Sequence, residues 1–287
     1  MPIDIEAGLK RRKIDVHAHV RAVPNDRQRN AWLVQCARRV GITEMWCSRP
    51  IAVRIAPMEE VRENNNRVLE AMRQHPDIIR GMCFVIPSYY DEAIKEIERC
   101  LDAGMIGIKL YNQYKVSDPV VRPVIEYAVH RRVPILCHAG YLAPEALKEQ
   151  PHISQGADFV AVSERYPDAI FIHGHIGGGG DWEWTIRALR DASPNVYVDT
   201  SGSNLDDGQI EYAVEQLGVD RVLFATDGMI EGGVGKVLGA TLTEEEIEKI
   251  FYVNAARILA AGGFQPLDQA VRCSEPGEEA AGERNAI

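Results

Sequence analysis

The chain has 287 residues, 46% hydrophobic and 26% charged, the composition of an ordinary folded protein and not of a disordered or fibrous one. Its formal net charge is −10, from 32 basic and 42 acidic side chains, so neither a basic excess nor a basic stripe offers a surface for nucleic acid. No apolar run reaches the ~18 residues that a membrane span needs.

The N-terminal stretch MPIDIEAGLKRRKIDVHAHV holds no apolar leader core, and the chain reads as cytoplasmic. Six cysteines (Cys36, Cys47, Cys83, Cys100, Cys137 and Cys273) make no CxxC pair, which fits free thiols in a reducing compartment. Residues 1–265 carry no Gly-, Ser- or Pro-rich linker and read as one domain. Residues 266–287 hold five acids, two bases and few apolar side chains, and are expected to be a mobile acidic tail or a segment ordered only against a partner.

Along the chain, short β-rich runs alternate with segments of helical length. KIDVHAHV (13–20) is followed by the amphipathic RQRNAWLVQCARRVG, then ITEMWC (42–47) by the stretch from Met58 to His75. IRGMCFVI (79–86) precedes DEAIKEIERCLDAG, and IGIKLY (106–111) precedes PVVRPVIEYAVHRR. VPILCH (133–138), AIFIHGH (169–175) and NVYVDTS (195–201) come next, with DGQIEYAVEQLG after the last of them. RVLFATD (221–227) closes the series and leads to a helical run from Thr243 to Ala260. Near-continuous apolar strands belong to a parallel sheet covered on both faces. Eight of them with helices between predict an α/β fold, a single-domain (β/α)8 TIM barrel. An open doubly wound sheet would need a glycine-rich phosphate turn after its first strand, and HAHVRAVPND is not one.

Five of the eight histidines lie at the C-terminal ends of β runs: His17, His19, His138, His173 and His175, with Asp227 ending the eighth run. Those ends surround one barrel mouth, where catalytic groups gather. The spacing of two in His17-Ala18-His19 puts both rings on one side of the strand, and the same rule puts His173 and His175 on one face. Imidazoles with a carboxylate suit zinc and similar divalent ions. Each residue alone has a bland reading, as a core histidine or a turn aspartate. Jointly, several ionisable groups facing one mouth without a charge partner would cost several kcal/mol. A tightly bound divalent ion, zinc by preference, is therefore expected.

The motifs DVHAH, GIKL, PILCHAG, HIGG, VYVDTSG, LFATD and NAARIL, in this order, resemble the amidohydrolase superfamily. The similarity is to its amidohydrolase-related group of small-molecule hydrolases and non-oxidative decarboxylases, such as aminocarboxymuconate-semialdehyde decarboxylase, and it runs from about Ile14 to Leu259. By position the resemblance implies metal ligands at His17, His19 and His138, with Asp227 as ligand or base. The HIGG motif gives the sixth-strand catalytic role to His175, leaving His173 as a further metal or substrate group. Lys109 ends the fourth β run. Some branches of the superfamily carry a carboxylated lysine there, and others an unmodified one; a plain ammonium beside a dication would be repelled, so an inward Lys109 must be neutral, carboxylated or turned to an anionic substrate.

The expected activity is hydrolysis of an amide, lactone or ester bond in a small carboxylated molecule by a metal-activated water. Asp227 and His175 are the catalytic groups, and Arg49, Arg54 and Tyr111 are candidates for substrate contacts. A non-oxidative decarboxylase on the same ligands is the alternative. The short chain and the brief VRAVPND segment after His19 tip the reading toward hydrolysis. A metal-bound barrel without turnover is a third reading, against which the complete ligand set argues. A small-molecule substrate is the expected partner, and a homo-oligomer is left open.

Overall fold

The computed structural model describes residues 4–21, 26–176, 178 and 181–269. Eight parallel strands run in sequence order around one sheet. They are β1 (Lys13–His19), β2 (Ile42–Ser48), β3 (Ile79–Phe84), β4 (Gly107–Leu110), β5 (Ile135–His138), β6 (Phe171–Gly174), β7 (Val196–Asp199) and β8 (Val222–Leu223). The chain after β8 continues beside β1. Val16 N donates to Phe224 O at 3.1 Å and Asp227 N to His17 O at 2.9 Å, which joins the last strand to the first. The single-domain (β/α)8 barrel is thus realised, with one expected run for each strand.

An inner apolar layer takes side chains from nearly every strand, among them Val16, Met82, Leu136, Ile172 and Leu223. Ala255, Ile258 and Leu259 of the helix Asn254–Ala261 belong to the same layer and plug the end of the barrel remote from the strand C-termini. The larger outer layer lies between strands and helices, as the apolar stripes of Met58–Gln74 and Asp91–Asp102 require.

Two helical segments depart from the sequence pattern. The run expected from Thr243 to Ala260 is interrupted by a π-helical turn at Lys249–Val253. That turn frees the Ile250 carbonyl, which accepts from Phe224 N at 3.0 Å and ties the helix to the end of β8. A helix also forms at Ile230–Gly239 despite four glycines. Gly233 needs its missing side chain, because a Cβ there would stand 3.1 Å from Ala225 O.

Part of the segment expected to be a mobile tail is ordered. Leu267 N donates at 2.7 Å to the buried Glu44 carboxylate, and Tyr252 OH donates to Asp268 at 2.7 Å. Glu44 needs these donors because burial pushes its carboxyl above the usual range, Arg80 and Leu267 opposing. Residues 270–287 lie outside the described part.

Candidate metal centre

The site forms where β1 meets the segment after β8. Between Asp15 and Ala18 the register of β1 against β2 shifts. Val16 belongs to the inner layer and Ala18 to the outer one, and His17 and His19 both turn to the mouth with ring centroids 5.3 Å apart. Asp227 is held at φ 48, a left-handed conformation uncommon outside glycine. That turn brings its carboxylate to 3.0 Å from His19 Nε2. One ligand atom from each of His17, His19 and Asp227 lies within 4.8 Å of the others, a spacing that suits one metal ion.

The orientation of each imidazole is set from behind. His17 Nδ1 lies 2.8 Å from Asp199 Oδ2, and His19 Nδ1 lies 3.2 Å from Ser48 O. The Asp199 carboxylate only accepts, so His17 Nδ1 carries the proton and its Nε2 lone pair faces the centre, while His19 Nδ1 meets both the carbonyl and the hydroxyl of Ser48 at 3.2 Å. Metal-binding histidines are oriented in this way. Lys109, fully buried on β4, places Nζ 2.6 Å from His17 Nε2 and thus stands as a cation at that lone pair. Burial pushes Lys109 down to about 8, with Asp227 and Asp199 pulling the other way.

His175 follows β6 at φ 69. Its backbone N–H donates to Asp199 Oδ1 at 3.0 Å, and the turn carries its ring to 4.6 Å from that of His17. His173 does not share its face. It precedes the turn, packs its ring 4.8 Å from Phe159 in the helical layer, and has neither ring nitrogen hydrogen-bonded among the described residues. The expected alternation fails because residue 175 has left the strand. Burial keeps His173 neutral, down to about 4. Gly174 between them admits the His17 ring, since a Cβ there would stand 3.1 Å from His17 Cε1.

His138 ends β5 beside His175, with Nδ1 2.9 Å from His175 Nε2 and Nε2 3.1 Å from Gln150 Oε1. It lies outside the His17–His19–Asp227 set. Burial, with Lys109 and His17 adding to it, brings His138 down to about 3. Tyr111 stacks on the His138 ring at 4.2 Å.

A cleft of about 490 Å³ opens over His19 and Asp227, and Arg49, Tyr111, Asn64 and Glu60 also line it. Arg49 is anchored by donating to Asn64 Oδ1 at 2.8 Å and to Arg21 O at 3.1 Å. Arg54 is exposed, does not line the cleft, and donates to Glu60 at 2.5 Å. The candidate substrate arginines are therefore separated by their surroundings.

Asp199 was not singled out by the sequence reading, although an aspartate closing the apolar run VYVD carries the same signal as Asp227. Burial works against its ionisation, yet the His17 ring and the Ser201 hydroxyl hold its carboxyl far below the usual range. Asp227 is likewise held low against burial, by its hydrogen bond with His19 and the neighbouring imidazoles.

Residues 14–260 match the profile of the amidohydrolase family. The chain belongs to that family. Its fold is shared with 2,6-dihydroxybenzoate decarboxylase from Rhizobium, at 19% identity and TM-score 0.69, over 86% of this chain and 98% of that one. A dihydroxybenzoic acid decarboxylase from Polaromonas, solved with bound manganese and the inhibitor 2-nitroresorcinol, matches at 18% identity and TM-score 0.66, over 86% and 96%. The 4-oxalomesaconate hydratase from Rhodopseudomonas palustris matches at 19% identity and TM-score 0.64, over 91% and 98%. No curated protein sequence matches the chain. Because the alignment covers nearly all of the decarboxylases, chain length does not separate hydrolase from lyase. As a family member the protein is a metal-dependent enzyme of small molecules, and no described helix is long and apolar enough to cross a membrane.

Proposed function

We propose that the protein hydrolyses an amide, lactone or ester bond of a small carboxylated molecule at a divalent metal held by His17, His19 and Asp227, with His138 as the fourth ligand. The observation that carries this reading is the convergence of one ligand atom from each of two imidazoles and one carboxylate within 4.8 Å, with the Nδ1 of each imidazole held from behind by Asp199 or by Ser48. The imidazole-rich donor set favours zinc; manganese, as bound in the Polaromonas relative, is the rival that elemental analysis distinguishes. Free thiols at all five described cysteines support a reducing compartment, and we place the protein in the cytoplasm.

A divalent ion in this set supplies Lewis acidity, lowering the pKa of a coordinated water toward ~7 and polarising a carbonyl. Asp227, kept ionised at the cleft edge, accepts a proton from the attacking water and returns it to the leaving group. His175 hydrogen-bonds the oxygen on which negative charge develops. Arg49, fixed by Asn64, offers its guanidinium to a substrate carboxylate, and Tyr111 gives the cleft a flat wall. Lys109 turns its ammonium from His17 to an anionic substrate group or loses its charge when a cation binds, since the two compete for the same lone pair.

The second reading, a non-oxidative decarboxylase, is favoured by the fold shared with the dihydroxybenzoate decarboxylases. There His175 and Asp227 deliver a proton to carbon. Turnover in 18O-labelled water separates the two. In hydrolysis, solvent oxygen enters the new carboxylate. Unlabelled product with stoichiometric CO2, obtained on a panel of carboxylated lactones, amides and hydroxybenzoates, overturns the hydrolase reading in favour of the lyase.

A further inference from the structure

We infer that Asn112 is a positioning residue that, with Gln113 beside it, holds the loop after β2 in a strained turn and so fixes the cleft wall formed by residues 49–51. The inference rests on the assignment of Arg49 as the receiver of a substrate carboxylate.

Val53 stands at φ 62, a region in which a β-branched residue is a genuine outlier. Arg54 N donates to Ala52 O at 2.7 Å across it, so residues 52–54 form a three-residue turn of the rare, strained hand. Val53 is 48% exposed, and its side chain gains little burial to offset the strain. Such a turn persists only where its surroundings over-determine it. Here two consecutive amides do so. Asn112 Oδ1 accepts from Val53 N at 2.8 Å, and Gln113 Nε2 donates to Ile51 O at 2.5 Å and to Arg54 O at 3.3 Å. Both amides are buried, so water does not replace a bond that they lose. The Arg54–Glu60 ion pair at the tip of the loop is exposed and adds little. On either side of the turn, Ile51 and Ala56 pack with Phe84 in a small apolar cluster against which Tyr111 lies.

The same clip joins three loops of the mouth. A backbone N–H only donates, so Val53 N fixes Asn112 Oδ1 toward the loop after β2 and turns Nδ2 to Gln150, whose Oε1 accepts at 2.7 Å. Gln150 Oε1 also lies 3.1 Å from the ring of His138. Tyr111, directly before Asn112, lines the same cleft as Arg49, Pro50 and Ile51. The separation of Tyr111 from residues 49–51 is therefore set by the bonds that residues 112 and 113 make to residues 51, 53 and 54. A loop that only had to cover the barrel could follow an extended path with no left-handed valine. The strained path keeps Ile51 O at Gln113, and with it Arg49 at Asn64 Oδ1, 2.8 Å from its Nε.

The strain is read first, without a substrate. Val53→Gly is expected to raise the thermal midpoint by roughly 2–4 °C, as relief of a left-handed β-branched residue does in a chain of this size. At an ordinary exposed loop position the same exchange lowers it, because glycine gains entropy in the unfolded chain. In the Asn112→Ala background the turn is free to relax, and Val53→Gly is expected to lose its gain. A Val53→Gly midpoint at or below wild type, or an equal gain in both backgrounds, overturns the inference. If Asn112→Ala does not fold, Gln113→Ala serves as the background. Positioning is read at the Arg49 Nε–H signal of 15N-labelled protein, assigned by its loss in Arg49→Lys. The bond to Asn64 is expected to protect it in wild type and in Val53→Gly, and its exchange to be about 10-fold faster in Asn112→Ala as the loop opens. Unchanged exchange in that variant overturns the positioning role. With a substrate of the panel in hand, KM of Asn112→Ala is expected to rise about 10- to 100-fold with kcat little changed, and to rise no further where Arg49→Ala is already present. Additive effects of the two changes, or a loss in kcat alone, overturn it. The midpoints and exchange rates stand whichever product the 18O experiment yields, so failure of the hydrolase reading and failure of this inference are told apart.

Discussion

Asp15 lies directly behind the site and is wholly buried. It accepts from Thr226 Oγ1 at 2.6 Å, Thr226 N at 3.1 Å and His17 N at 3.1 Å, and so holds together the two segments that carry His17 and Asp227. Burial outweighs these donors and raises its carboxyl to about 7 from 3.8. A raised folded-state pKa gives stability that is complete below the unfolded value and is lost as pH rises through the folded one. For Asp15 that window runs from about 4 to 7. In metal-free protein, Asp15→Asn should therefore gain stability relative to wild type across this window, by at most about 4 kcal/mol for a shift of this size. The hydrogen bonds that asparagine loses cost the same at every pH and cancel in the comparison. Denaturant unfolding of both proteins at pH 4, 5, 6, 7 and 8 checks it; a pH-independent difference would mean that Asp15 is ionised throughout.

At the scale of elements, the strands were legible because both faces of a barrel strand are buried, which leaves runs such as IRGMCF and VPILCH with no solvent side to confuse the pattern. The helix Ile230–Gly239 was not, since four glycines in ten residues erase the helical preference and only its packing against Ala225 and Thr226 supports it. Much of the site could be read from strand ends. His17, His19 and Asp227 converge through a register shift in β1 and a left-handed residue after β8, neither of which has a sequence signal. Ser201 and Gln150 reach the site from loops, and only the fold brings them there. The C-terminal segment shows the same limit. Its composition suggests a tail, yet Leu267 and Asp268 satisfy Glu44, Tyr252 and Arg12 at the closed end of the barrel. Truncation after Gln265 should then cost about 1–3 kcal/mol by leaving the buried Glu44 without a backbone donor, while truncation after Gln269 keeps every one of these contacts. Chemical denaturation of the two truncated proteins should show the loss in the first alone. Since the segment is remote from the mouth, kcat of the folded fraction should be unchanged in both.

At the scale of the whole molecule, the proposed metal set has a topological position that its residues alone do not reveal. His17 and His19 belong to the first strand, and Asp227 follows the last. The set therefore bridges the seam at which the barrel closes. That seam is thin: β8 has two residues, and the junction rests on Val16 N to Phe224 O, Asp227 N to His17 O and the Asp15–Thr226 contacts. The β4–β5 and β5–β6 pairs carry regular register over three and four residue pairs and do not depend on a ligand. A metal ion bound at the proposed set would join two chain segments more than 200 residues apart, and its binding free energy would add to the stability of the closed barrel. Removing it with a chelator should lower the thermal midpoint, by roughly 2–4 °C per kcal/mol of lost binding energy for a chain of this size. The more specific expectation is local. Hydrogen exchange of the Val16 and Asp227 amides should accelerate on chelation far more than that of Ile135, which donates across β5–β6 to Ile170 O. Adding zinc back should restore protection at the seam first. Equal acceleration at all three amides would place the ion's stabilising effect outside the seam and count against His17, His19 and Asp227 as its ligands. Protection unchanged at every amide, with the metal shown to be gone, would mean that Asp15 and Thr226 close the barrel unaided.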